Sequence, residues 1–260
     1  MPLRRVPLAD LTLRGERAFR AMPVYATLKK MLLADGFTVR VPDSAHAHPD
    51  RVTFLNLTYW NARDPSDVLV DDTLEADVLA HAGWHHAARK VLIGAPTAAA
   101  MFLGESVASA FDLYMVGHML RQGKQTSYLA SQVPRMTEAA LDAGMTEATW
   151  AELLEEVAAD PDRAFADLRA LLFDAASALV ACPDLDAAAA ILEGFATHRF
   201  HGLLHHYELS NWVLFARAYA APPDANDPAL TMDRAMRAAP ALVPWLEAHW
   251  LGASAGTGAR

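Results

Sequence analysis

The sequence predicts an α+β protein, predominantly α-helical, with a small N-terminal β-sheet packed on a helical body. Three observations carry this reading. Runs of β-branched and aromatic residues occur only near the N-terminus, in "GFTVRVP" and "RVTFLNLTYW". From residue 72 onward apolar residues recur at helical spacing, rich in alanine and leucine. The interruptions of that pattern fall at prolines and glycines. With 260 residues, 53% of them hydrophobic, the chain can bury a sizeable core, so residues 1–260 are read as one domain. Within it an α/β lobe at 1–125 and a helical lobe at 135–251 can be distinguished, and the small, polar stretch 252–260 is expected to be disordered.

Taken in order, residues 13–35 read as mostly helical around Pro23. The two strand candidates follow, separated by "DSAHAHPD", whose proline, aspartates and serine mark a loop. After "NARDPSD", Asp72 with Glu75 three positions later has the form of a capping box and would start the helix that carries His81 and His85. "IGAPT" ends that helix, and Thr97 can cap the next, which runs from about Ala98 to Arg121 with Glu105, Asp112, Tyr114 and His118 on it. Beyond "SQVPRM" helices continue, with breaks expected near Gly144, Asp160-Pro161, Pro183, "APPDANDP", Pro240 and Pro244.

Composition excludes several functions. The formal charge is −9 and the basic residues are scattered, so no nucleic-acid partner is expected. Charges or histidines interrupt every apolar run before the roughly 18–20 residues of a membrane helix, so no membrane partner is expected either. The single cysteine, Cys182, excludes an intrachain disulfide, and "MPLRRVPLAD" lacks the apolar core of a secretory signal, which together suggest a cytoplasmic protein. The chain has neither a GxSxG elbow nor a GxxxxGK phosphate loop.

The chemistry-bearing residues begin with His81-Ala82-Gly83-Trp84-His85. Positions four apart on a helix project from nearly one side and can place two imidazoles on one metal ion, although satisfied core histidines share that spacing. Glu105 lies twenty positions beyond His85, on the following helix. Over roughly residues 72–116 this arrangement resembles the gluzincin metallopeptidases, the thermolysin-like class, in which HExxH on one helix is followed by a glutamate about twenty positions later. The resemblance implies that His81, His85 and Glu105 are metal ligands. It also implies that Asp112, two turns beyond Glu105, accepts a hydrogen bond from a ligand imidazole. It departs from the family at Ala82, where the family carries the glutamate that takes a proton from metal-bound water. Two histidines and a carboxylate with open positions also describe the facial triad of non-heme iron oxygenases, which needs no base there.

A second histidine cluster lies in "THRFHGLLHHYELSNW", where a continuous helix would align His198, His201 and His205 in one stripe reaching Glu208 and Trp212. Such a stripe is either a solvated polar face or a wall of the cavity above the first site. In the second case His201 and His205 would be the catalytic proton donors and His198 a supporting residue. The same histidines resemble those of coupled dicopper proteins, which also use paired HxxxH helices; for that arrangement His118 would point about 140° from Glu105 and is badly placed unless the helix bends. The expected function is a metal-dependent enzyme with a mononuclear centre holding Fe(II) or Zn(II). It would act on a small organic substrate by oxidative or Lewis-acid chemistry rather than peptide hydrolysis. The alternatives are a non-catalytic gluzincin-like scaffold that binds a metal or a partner, and a dinuclear metal oxidase using the 198–205 histidines.

Overall fold

The structure, a computed structural model, describes residues 3–43, 68–92, 97–221 and 226–252. The strand expected in "RVTFLNLTYW", the "NARDPSD" turn and most of the C-terminal tail lie outside these residues. The described elements form a mostly helical α+β protein with two small sheets. The chain divides into two compact units, Met1–Val91 together with Glu247–Arg260, and Leu92–Leu246.

In the first unit, β1 (Leu3–Pro7) pairs antiparallel with β3 (Thr38–Pro42), with Val6 opposite Val39. Val6, Val39 and Val41 point into the core, each no more than 2% exposed. The sequence reading found β3 and passed over β1. Arg4 and Arg5 break the apolar run there, and Val6 is the one buried residue of the strand. β2 (Thr12–Arg14) pairs in parallel with β4 (Thr73–Glu75). This pairing corrects the expected capping box at Asp72 and Glu75: residues 73–75 are held extended against β2, Thr12 N–H donates to the Asp72 carbonyl at 2.9 Å, and the helix begins only at Ala76. Two-residue-period pairing has displaced the helix start by a turn.

A short helix, α1 (Glu16–Phe19), leads into α2 (Pro23–Ala34), where Pro23 takes the first helical position, the one that needs no N–H donor. α3 (Ala76–Val91) packs along α2, and Gly83 permits the approach: a Cβ there would meet Leu28 Cδ2 at 3.3 Å. A π-helical turn, Glu247–Leu251, packs against both helices, with the Trp84 and Trp250 rings edge-on at 6.3 Å.

The second unit is built on α4 (Ala98–Arg121). Thr97 accepts a hydrogen bond from Ala100 N–H at 3.0 Å and caps it as the sequence suggested. Around α4 lie α5 (Ser127–Asp142), α6 (Glu147–Ala159), α7 (Pro161–Val180), α9 (Leu209–Tyr219) and α10 (Pro228–Ala238), while α8 (Leu185–Glu193) packs on α7 and α11 (Leu242–Leu246) on α7 and α10. By length and composition α4 is apolar enough to cross a membrane, contrary to the expectation that no run would qualify. Its 24 residues tolerate Glu105 and Asp112 because the remainder is so apolar, and 83% of the most apolar window is buried against its neighbours. Side-chain oxygens of Thr126, Thr146, Asp160, Asp184 and Asp227 cap the later helices, and the ends near Gly144, Asp160-Pro161, Pro183 and Pro240 fall where expected. Pro244 instead lies inside α11, and Pro134 inside α5. Arg169 on α7, 1% exposed, donates to Asp233 on α10 at 2.5 Å, and Arg237 joins the same carboxylate at 2.8 Å.

The continuous helix expected over residues 198–212 is not formed. Residues 201–203 make a single 3-10 turn, and Glu208 adopts a left-handed conformation at φ 49° before α9 begins at Leu209. Packing gives the reason. Phe200, Leu203, Leu204 and Tyr207 are buried, and Gly202 presses so close to α5 that a Cβ would stand 3.2 Å from Ala140 Cα on that helix and 2.8 Å from Met145 Sδ just beyond it.

Gly117 sets the closest approach of α4 to its neighbours, since a Cβ there would stand 2.5 Å from the Val157 carbonyl oxygen on α6 and 3.2 Å from Pro161 Cβ on α7. Gly117→Ala therefore forces backbone apart, and the denaturation midpoint of the variant falls by an amount equivalent to about 1–3 kcal/mol, in spite of alanine's better helix propensity.

Candidate metal centre

His81 and His85 stand one turn apart on α3, where helical geometry alone brings their side chains together. Their Nε2 atoms are 3.0 Å apart and the rings meet edge-on at 4.8 Å. Two imidazole nitrogens on one metal, each at about 2.0–2.1 Å, are separated by roughly 3 Å when their bonds make an angle between square and tetrahedral. The helix thus holds the pair at ligand spacing. His85 is 3% exposed and His81 half-buried, so the pair has a closed side and a more open one.

The helix bearing them is pinned at its far side. His86 Nε2 lies 2.9 Å from Asp35 Oδ2, and Lys90 donates to the same oxygen at 2.6 Å. Burial alone would raise the Asp35 carboxyl, but the hydrogen bonds from Lys90 and His86 outweigh it and leave the group below its ordinary value. His86, which the spacing excluded from the pair, is thereby assigned a structural partner. Burial lowers its own pKa, against the pull of Asp35.

Glu105 is 7% exposed on α4. Ser109, one turn on and 4% exposed, donates its hydroxyl to Glu105 Oε1 at 3.1 Å. Ligand atoms of His81, His85 and Glu105 all lie within 4.8 Å of one another, a group that can hold a metal ion. Two imidazoles and one carboxylate are a donor set that divalent transition metals accept. Ala82, where the gluzincin pattern has its base, is 5% exposed and offers no proton acceptor.

The other anticipated residues are placed as follows. Asp112 is half-buried, and its backbone carbonyl accepts from the Tyr128 hydroxyl at 3.1 Å. His118 stacks edge-on against Tyr114 at 5.0 Å, with its Nδ1 3.1 Å from an Arg121 nitrogen, and burial followed by Arg121 lowers its pKa. With the apolar side of the 200–207 segment turned to the core, His205 is exposed, while His198 and His201 are half-buried. His198 Nδ1 accepts from Phe200 N–H at 3.2 Å, and His201 Nδ1 sits 2.9 Å from the His198 carbonyl, so His201 carries a proton on Nδ1. Burial lowers the His198 pKa against the pull of Asp167. Among the described residues these histidines join no group of three ligand atoms.

Sequence reasoning missed Ser109 and Tyr207. The four-residue offset from Glu105 would have found Ser109, since it is the same spacing that marked the histidine pair. Tyr207 is 7% exposed, and its hydroxyl has no hydrogen-bond partner among the described residues. Burial, with Asp112 second, pushes its pKa well above the ordinary tyrosine value, so it stays a neutral hydroxyl. No sequence pattern announces that environment.

No protein-family model, curated protein or solved structure matches the chain. The gluzincin resemblance therefore stands on His81, His85 and Glu105 alone.

His201→Ala and His205→Ala each leave the metal content of the purified protein unchanged, because neither imidazole belongs to the three-ligand group. Elemental analysis of protein made without a histidine tag checks this, and a loss of half or more of the metal in either variant would place a ligand in the 198–208 segment.

Proposed function

We propose that this chain is a metal-dependent enzyme with a mononuclear two-histidine, one-carboxylate centre that acts on a small organic substrate. The observation that supports this reading is the close group of His81, His85 and Glu105 ligand atoms. In this proposal the three side chains hold Fe(II) or Zn(II), and the metal, when bound, supplies Lewis-acid or oxidative chemistry. His81 and His85 bind through Nε2, with any proton of the neutral imidazoles carried on Nδ1. Ala82 cannot take a proton from a nucleophile, so the water-activating step of peptide hydrolysis lacks its usual base. His201 and His205 are the proposed proton donors, with Asp112 and His198 as supports. A charge of −9 without basic clustering argues for a small-molecule substrate in place of nucleic acid. A cytoplasmic setting and a gluzincin-like origin of the helix pair complete the proposal.

A second reading, a scaffold that binds metal without turnover, is favoured by Ala82, the one position where the pattern has lost a reactive group. Turnover of any substrate by the metal-loaded protein decides against it.

His81→Ala and Glu105→Ala each abolish stoichiometric Zn(II) and Fe(II) binding and leave the far-ultraviolet circular dichroism close to wild type, since the helices are held by their apolar faces. Full metal retention by both variants sinks the proposal. Metal affinity also falls on acidification, because protons compete for the imidazole nitrogens. The loss approaches about tenfold per pH unit for each imidazole that must give up a proton, and titrations at a series of pH values measure it.

A further inference from the structure

We propose that Ser109 is a positioning residue for the metal centre: its hydroxyl engages Glu105 Oε1 and holds the carboxyl group in one orientation on α4 before a metal arrives. This inference rests on the reading of Glu105 as a ligand.

A serine inside a helix ordinarily returns its hydroxyl to a backbone carbonyl one turn back. Ser106, on the same helix, does so, donating to the Leu103 carbonyl at 3.0 Å. Thr27 and Thr137 likewise reach the carbonyls of Pro23 at 3.1 Å and Val133 at 2.7 Å. Ser109 departs from this habit and donates instead to the Glu105 carboxyl at 3.1 Å, although both side chains are buried. A hydroxyl has one proton to give, and here it is given to the carboxyl group.

The bond has a consequence for a ligand. A glutamate has three side-chain torsions, and a hydrogen bond from a buried neighbour on the same helix fixes them before a metal arrives, which lowers the ordering entropy that binding must supply. Ser109 in this way acts on the ligand without touching the metal.

The test uses the full chain and Co(II), whose visible absorption reports coordination number and geometry. Wild type, Ser109→Ala, Ser109→Thr and His85→Ala are titrated side by side. Ser109→Ala should bind Co(II) about 10- to 100-fold more weakly, with an absorption band altered in position and intensity. Ser109→Thr, which keeps the hydroxyl, should return both towards wild type, and His85→Ala should lose stoichiometric binding. If Ser109→Ala matches wild type in affinity and spectrum while His85→Ala fails to bind, the role of Ser109 is overturned and the metal centre stands. If wild type itself takes up no Co(II), both fall. Should the added methyl of threonine unfold the protein, as circular dichroism would show, the absorption spectrum of Ser109→Ala decides alone: an unchanged band overturns the inference and a changed band supports it.

Discussion

Glu105 is a carboxyl group carried by a helix that is otherwise given over to apolar packing, and burying it is the constraint on which the candidate centre depends. Removing such a group from water without compensation costs several kcal/mol, so its surroundings must supply hydrogen bonds or opposite charge. Part of that compensation is visible in the Ser109 hydroxyl. α4 can carry the group because the helix is locked: Thr97 caps its start, α6 and α7 press on its C-terminal part at Gly117, and 83% of its most apolar window is buried. A mobile or solvated helix would let the carboxyl group swing out to water. Rigid support of this kind is what a ligand constellation needs in order to hold its geometry before the metal binds.

The histidine-rich segment at 198–206 shows the opposite balance. Its apolar residues, Phe200, Leu203, Leu204 and Tyr207, decide its orientation because burying them outweighs any preference of the imidazoles, which are content in water. Gly202 then brings the segment so close to α5 that a regular helix gives way to a 3-10 turn, ending in left-handed Glu208. Histidine count was a poor guide here. The positions of the large apolar side chains, read from the same sequence, were the better one.

Long, strongly patterned elements were therefore legible and short ones were not. α4 could be bounded from sequence because Thr97 and the apolar run leave little choice, and the helix ends near Gly144, Asp160-Pro161 and Pro183 follow from residues that cannot continue a helix or that cap the next one. β1 was hidden by Arg4 and Arg5, which sit on an exposed strand with a single buried valine. β4 was hidden by a competing local signal, since Asp72 and Glu75 satisfy a capping pattern that only pairing with β2 overrides. That override is a long-range interaction, with Thr12 paired to Thr73, and no short window centred on position 72 contains it. The candidate group was legible because the histidines share a four-residue offset on one helix and the gluzincin resemblance points to a carboxylate about twenty positions on.

The helical period is used twice in the candidate centre, once to pair His81 with His85 and once to pair Glu105 with Ser109. In both cases the second residue fixes the first without any loop, so the geometry follows from backbone that is already paid for by core packing. The same period constrains the missing base. Position 82 is rotated about 100° from position 81 around α3, and Ala82 occupies it as a buried methyl group. A proton acceptor for the proposed chemistry must therefore come from another element or from the substrate itself. In the proposed reading that requirement falls on the substrate, on the metal, or on the proposed donors His201 and His205, none of which depends on a carboxylate at position 82.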